Sequence, residues 1–306
     1  MGADLFKTDS AFRSLVALAS ELVGEDLEPT CLRGPEKKLL RSRLLQPLLV
    51  AVSLGYLRHL QERGVQPDLV LGHSLGEITA LAAAGIVTPD EAVRIAAMRG
   101  KLMDEAAAKL DGGMMAVTLD QRAPLLEWLA SATSNHCVTL ANDNAPTQVV
   151  LSGERVALAA GAEFVRSAKL GKCRLLPVSG PWHSPFMTEA ATRFNAWLKD
   201  FPLRQPRVPM LFNASASNAT GIGEIRFLLS SVLARPVRWR DCMSQVRERP
   251  PGVVFEIGPG RVLSGLARLN CLPAETRIFS VNNLGGVELA GRPSLVDAAD
   301  EPRPNQ

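Results

Sequence analysis

The stretch that decides the fold is Asp68-Leu-Val-Leu-Gly-His-Ser-Leu-Gly-Glu-Ile-Thr-Ala-Leu-Ala-Ala-Ala84. Its first four residues make a short apolar run suited to a buried strand, and from Glu77 onward Ala and Leu dominate, as in a helix. Between them, Gly72-His-Ser-Leu-Gly76 fits G-x-S-x-G, in which a serine sits on a strained strand-to-helix turn with its hydroxyl exposed. Both glycines are expected there because side chains would clash with the flanking strand and helix. Such a short pattern also arises by chance as an ordinary turn. The flanking strand and helix favour Ser74 as a nucleophile, with the helix amides from Leu75 N–H onward facing a developing oxyanion.

Working outward, residues 11–24 and 37–64 read as helices from apolar positions at threes and fours. Pro89 and Asp90 open another that runs to about Ala108 and stops near Gly112-Gly113. Helices alternating with single strands imply an α/β body on a parallel sheet. From Met114 the order changes to strand 114–119, helix 122–132, strand 137–142, turn 143–146, strand 148–152, helix 154–168 and strand 174–179. That is β-α-β-β-α-β, the ferredoxin-like order. Helix 185–198, strand 210–213, helix 227–234 and strand 252–257 then resume the α/β pattern. Gly258-Pro-Gly260 near Glu256 lacks the spacing of a nucleotide loop and reads as a turn. The expected organisation is a large α/β body from residues 1–111 and 180–285, a ferredoxin-like insert at 112–179, and a polar, proline-bearing disordered tail from 286 to 306.

With 306 residues, 46% hydrophobic and 21% charged, the chain can bury a large core. A net charge of +3 with dispersed basic residues gives no nucleic-acid footprint, although it suits an acidic partner. The longest apolar run, Leu44 to Leu57, is interrupted by Gln46, Pro47 and Ser53 and is too short to cross a bilayer. Charged residues throughout the first thirty positions exclude a secretory signal core, so a cytoplasmic protein without membrane contact is expected. Cys31, Cys137, Cys173, Cys242 and Cys271 lack metal-ligand spacing and read as free thiols, and no metal is expected.

A serine nucleophile needs a base, and the chain has four histidines. His73, beside Ser74, should point away on the turn; His59 lies within a helix, and His136 in the polar Ser134-Asn-His136 segment. His183 sits in the irregular loop Ser179-Gly-Pro-Trp-His-Ser-Pro185, where the insert returns to the body. Spacing alone leaves base and ordinary loop residue equally open. No carboxylate declares itself as the partner of its other ring nitrogen, so a backbone carbonyl is expected there. Arg99 lies on the apolar stripe of Ile95, Met98 and Leu102. A guanidinium turned inward requires an anion, either a protein carboxylate in a structural ion pair or a substrate carboxylate held in a fork.

Gln46-Pro47, Gly72-His-Ser-Leu-Gly-Glu77, Met98-Arg-Gly-Lys-Leu-Met103, Gly113-Met-Met-Ala-Val117, Ala141-Asn-Asp-Asn144, Val178-Ser-Gly-Pro-Trp-His-Ser-Pro185, Arg235-Pro-Val-Arg-Trp239 and Glu256-Ile-Gly-Pro-Gly260 occur in this order along nearly the whole chain. Together they resemble the malonyl-CoA:acyl-carrier-protein transacylase family, which includes the acyltransferase domains of fatty acid and polyketide synthesis. The resemblance implies a hydrolase-like body with a ferredoxin-like insert. It also implies Ser74 as nucleophile, His183 as base, Arg99 as clamp on a malonyl carboxylate, and the Val232 backbone carbonyl as orienter of the base. His73, Asn142 and Asn144 would belong to the substrate site. Trp182 holds the place where the family associates a bulky aromatic with malonyl rather than methylmalonyl units. Malonyl-CoA is the implied donor, an acyl carrier protein the implied partner, and no bound cofactor is implied.

The family begins with a strand leading to a Gly-Gln-Gly loop whose glutamine supplies half of the oxyanion hole. Met1-Gly-Ala-Asp-Leu-Phe6 resembles the segment just after that loop, so a body lacking its first strand is expected. Two other readings stand beside the transferase: an acyl hydrolase acting on carrier proteins, and a catalytically impaired carrier-docking subunit. Arg99 argues against the hydrolase, since a clearing enzyme gains nothing from a carboxylate clamp.

Overall fold

The computed structural model describes residues 1–132 and 138–291. Its first layer is helical: α1 (Ala3–Thr8), α2 (Ser10–Val23), α3 (Glu28–Arg33), a 3₁₀ turn (Glu36–Leu40) and α4 (Ser42–Gln61). The second expected helix is thus broken, because Arg41 adopts extended backbone between the 3₁₀ turn and α4. Gly24, with φ of 68°, ends α2, and Asp9 opens it by accepting from Phe12 N–H at 2.8 Å. Nearly every side chain in the middle of α4 is buried. It packs mainly on α6 (Pro89–Ala107), which starts with a Thr88–Glu91 capping box and Pro at its first turn.

In the body, β1 (Val70–Leu71) pairs in parallel with β6 (Met210–Phe212), which continues antiparallel to β7 (Ser217–Asn218). A second parallel pair joins β8 (Val253–Ile257) and β9 (Arg277–Val281). Among the described residues no ladder links β1 to β8, so the body sheet lies in two pieces, β1 behind α5 (Gly76–Ala83) and β8 against α4. The remaining body helices are α9 (Thr188–Leu198), α10 (Ile222–Ser231), α11 (Trp239–Glu248), α12 (Val262–Leu269) and α13 (Leu284–Ala290). Among the described residues, no helix is long and apolar enough to cross a membrane.

Between α6 and α9 lie β2 (Gly112–Leu119), α7 (Ala123–Ala132), β3 (Val138–Ala145), β4 (Gln148–Glu154), α8 (Arg155–Ser167) and β5 (Gly171–Leu175). The antiparallel order β3-β4-β2-β5 is the ferredoxin-like one anticipated from the element sequence. This sheet has its own core around Val117, Leu125, Leu151 and Leu158, with Trp128 stacked on Phe164 at 5.2 Å. A parallel bridge between Asn142 and Val237 stitches β3 to the body.

Several boundaries differ from expectation. Residues 143–145 continue β3 through register shifts instead of turning, because the segment gains a second partner in Val237. The last strand of the insert ends at Leu175. Helix α13 occupies the place where the tail was expected to begin, capped by Asn283, which accepts from Gly286 N–H at 2.8 Å. Residues 292–306, and His136 and Cys137, lie outside the described residues.

Candidate active site

β1 runs into Gly72, and two residues later Ser74 adopts φ of 53°, the left-handed region that costs an L-residue about 1–3 kcal/mol. Gly72 is obligatory, because a Cβ there would lie 2.0 Å from the carbonyl carbon of Gly76. Gly76 is not, since a Cβ at that position meets nothing within 4 Å. Only the first of the two expected clashes exists.

The bend is held by Asn213, the residue after β6. Its Oδ1 accepts from Ser74 N–H at 2.7 Å, and its Nδ2 donates to the Gly72 carbonyl at 2.8 Å. Its backbone N–H donates to Glu77 Oε1 at 2.7 Å. Ser74 N–H is therefore engaged. Among the described residues nothing accepts from Leu75 N–H, which sits at the N-cap of α5.

Ser74 Oγ lies 2.7 Å from His183 Nε2, and His183 Nδ1 lies 2.6 Å from the Val232 carbonyl oxygen. A carbonyl can only accept, so Nδ1 carries the proton and Nε2 presents its lone pair to the serine. Of the readings left open for His183, the structure contains the one with the ring beside Ser74. Its backbone is also left-handed, with φ of 59°. Burial, then the nearby Arg99 charge, push the imidazole down to about 3, so it is neutral at physiological pH.

Arg99 is buried, 2% exposed. Its Nη1 donates to Gln46 Oε1 at 2.8 Å and its Nη2 to Ser74 Oγ at 3.1 Å. Both partners are neutral, and among the described residues Arg99 makes no ion pair. The structural ion pair is thus absent. Burial pulls the guanidinium down to about 10, partly offset by Glu77. Burial in turn pushes the Glu77 carboxyl up to about 8. A forked cation without an ion-pair partner among the described residues stands directly beside the Ser74 hydroxyl.

The other expected site residues are placed less centrally. His73 turns away from Ser74, and its Nε2 lies 2.8 Å from Asn144 Oδ1, with Trp239 beside the ring at 5.3 Å. Asn144 also donates to Gln148 Oε1 at 3.2 Å, so its carboxamide has partners at both ends. Asn142 is buried in β3 at the bridge to Val237. Trp182 is buried in the body core, where a Cβ on Gly180 would strike both its indole and Ala107. Gly258-Pro-Gly260 is a turn, and Glu256 caps α12 by accepting from Leu263 and Ser264 N–H, each at 2.8 Å. Asn213, Glu77 and Gln46 were not anticipated as individual parts of the site. Among the described residues no cluster of side chains could hold a metal ion.

A left-handed serine at a strand-to-helix elbow, a neutral histidine on its oxygen and an oriented backbone carbonyl behind the histidine are the arrangement that nucleophilic acyl transfer requires. The chain belongs to the acyl transferase domain family, whose description matches residues 1–267. It is 32% identical over 269 residues to the malonyl CoA-acyl carrier protein transacylase of Haemophilus influenzae, covering 87% of this chain and 85% of that protein. It is 33% identical over 305 residues to the polyketide biosynthesis protein ThaF of Burkholderia thailandensis, covering 99% of this chain but only 25% of ThaF. Among solved structures, the malonyl-CoA:acyl carrier protein transacylase of Xanthomonas oryzae superposes with a TM-score of 0.88 at 32% identity, covering 95% of this chain and 92% of that one.

Proposed function

We propose that this protein moves a malonyl group from malonyl-CoA to the phosphopantetheine thiol of an acyl carrier protein through an ester on Ser74. The carrying observation is that Ser74 Oγ lies between His183 Nε2 and Arg99 Nη2. In the first half-reaction Oγ attacks the thioester carbonyl while its proton passes to Nε2, and the carbonyl oxygen takes the negative charge toward Leu75 N–H. The C–S bond then breaks, and the departing CoA sulfur receives the proton from His183. In the second half-reaction the carrier thiol gives its proton to Nε2 and attacks the ester; the C–Oγ bond breaks and Ser74 recovers the proton. The Val232 carbonyl keeps the ring in the required tautomer and supports its transient charge.

Arg99 supplies selectivity. A buried cation facing only neutral oxygens gains most from an acyl group that brings its own carboxylate. Asn142 and Asn144 border the substrate site from β3, His73 joins it from the elbow through its contact with Asn144, and Trp182 stiffens the loop carrying His183. Malonyl-CoA is the donor, no bound cofactor takes part, and the weakly basic chain suits an acidic carrier protein in the cytoplasm.

Incubation with labelled malonyl-CoA, with and without carrier protein, tests the reading. Intact-mass measurement should show a malonyl adduct that Ser74→Ala abolishes, and the label should appear on the carrier. Free malonate released at the same rate whether or not carrier is present would establish the hydrolase instead. No adduct at all would leave the docking subunit.

A further inference from the structure

The pairing of β1 with β6 runs Val70↔Met210 and Leu71↔Leu211, and then stops where the chain bends into the elbow. From there a side chain takes over from the backbone. Asn213 offers an acceptor to Ser74 N–H and a donor to the Gly72 carbonyl, so one carboxamide spans both sides of the bend. The amide orientation is fixed by its partners, since a backbone N–H only donates and a carbonyl only accepts. Asn213 is fully buried, its own carbonyl accepts from Arg238 N–H at 3.1 Å, and its N–H is held by Glu77. Each of its polar groups is thereby satisfied, three of the four by residues of the elbow or of α5. No other residue type of this size carries one donor and one acceptor in a planar pair. Asp would press a second acceptor oxygen against the Gly72 carbonyl.

We infer that Asn213 is a positioning residue: its carboxamide holds Ser74 in the left-handed backbone that aims Oγ at His183, with Glu77 holding Asn213 in register. This rests on the reading of Ser74 as the acylated nucleophile. The inference separates position from fold, because Asn213→Asp keeps shape and volume while exchanging the donor facing Gly72 for an acceptor, charged when ionised. Protonation of that Asp restores an O–H donor, so lowering the pH should repair the elbow in the variant alone.

Groups facing this corner are Glu77 from α5, Arg99 from α6, His183 and His73 from their loops, and Arg238, Asp241 and Cys242 at the start of α11. Their titration is shared by the wild type, so the quantity to follow is the rate ratio of variant to wild type. Single-turnover acylation by malonyl-CoA would be timed by quenched intact-mass measurement between pH 5.5 and 8, on full-length protein with circular dichroism confirming the fold. At pH 8 Asn213→Asp should acylate about 10²-fold more slowly, the scale expected for a misplacement near 1 Å. The ratio should recover at least about tenfold by pH 5.5, as the O–H donor returns. Asn213→Ser, too short to span the bend, should be slowed about 10²-fold at every pH and serves if the Asp variant does not fold. A rate within threefold of wild type in either folded variant would overturn the inference, as would an Asp deficit independent of pH. Failure of the wild type itself to acylate would instead remove the nucleophile reading on which the inference rests.

Discussion

Replacing Arg99 with Met tests what the buried cation is for. The guanidinium is pulled from the ordinary arginine value down to about 10, chiefly by burial. At 1.36 kcal/mol per unit of pKa, this is a penalty on the order of 3 kcal/mol carried by the free protein. A bound carboxylate would recover much of it, which corresponds to about 10²-fold in favour of a carboxylated acyl group over a neutral one. Methionine is of similar length and apolar, so it fills the space and removes the unpaired charge. Acylation by malonyl-CoA should fall about 10²-fold or more, while acylation by acetyl-CoA changes less than about tenfold. The variant should also melt higher, by about 2 °C for each kcal/mol recovered. Stopped-quench acylation with the two donors and a thermal melt give both numbers. Equal losses with both donors, together with a lowered melting point, would show that Arg99 serves the fold and not the substrate.

The two glycines of the elbow should part company. Gly72→Ala must move the Gly76 carbonyl carbon from 2.0 Å toward ordinary contact, so it should unfold the elbow and suppress acylation. Gly76→Ala meets open space within a helix and should stabilise by about 0.5–1 kcal/mol in a denaturant titration. Glu77 gives a pH signature. Burial, offset by the Asn213 amide and Arg99, raises its carboxyl from 4.5 to about 8, so folding retains a proton that the unfolded chain releases. Its stabilisation is complete below pH 4.5 and is lost as pH rises through 8. His183, lowered from 6.5 to about 3, acts with the opposite sign, its contribution being complete above 6.5 and lost as pH falls toward 3. The two slopes cancel between pH 4.5 and 6.5. Stability should therefore decline only from pH 6.5 to 8, by about 2 kcal/mol, and Glu77→Gln should flatten that decline. A variant retaining the wild-type slope would assign it to another group.

The ferredoxin-like insert was readable because short strand-like runs and two clear helical stretches follow one another in the order β-α-β-β-α-β. The elbow was readable because its pattern is local: strand, turn and helix lie within seventeen residues from Asp68 to Ala84. Asn213 was not readable, since nothing near Met210-Leu-Phe212 shows that the next side chain will reach back across the sheet to residues 72 and 74. Helix α11 was legible but not anticipated: Trp239, Cys242, Met243 and Val246 recur at the i, i+3, i+4, i+7 spacing of an amphipathic helix with a polar outer face. Strand β9 was missed because its half-buried residues carry little alternation. Arg99 shows the limit of periodicity. Its place on an apolar stripe announced an inward charge, but whether a protein carboxylate awaited it depended on the fold, which put Gln46 and Ser74 there instead.

Asp143 sits where the insert meets the body and is gripped from both sides, by Arg122 at 2.9 Å and by Arg240 at 3.0 Å, next to the β3 bridge to Val237. Only the Arg240 pair crosses to the body, and the backbone bonds of Val237 with Ala141 and Asp143 cross beside it, so charge and ladder tie the two lobes at one place. A joint of that kind favours a cleft whose width is set before any guest arrives. Comparable amide exchange on the two sides of the seam, with and without thioester, is the behaviour such a joint dictates.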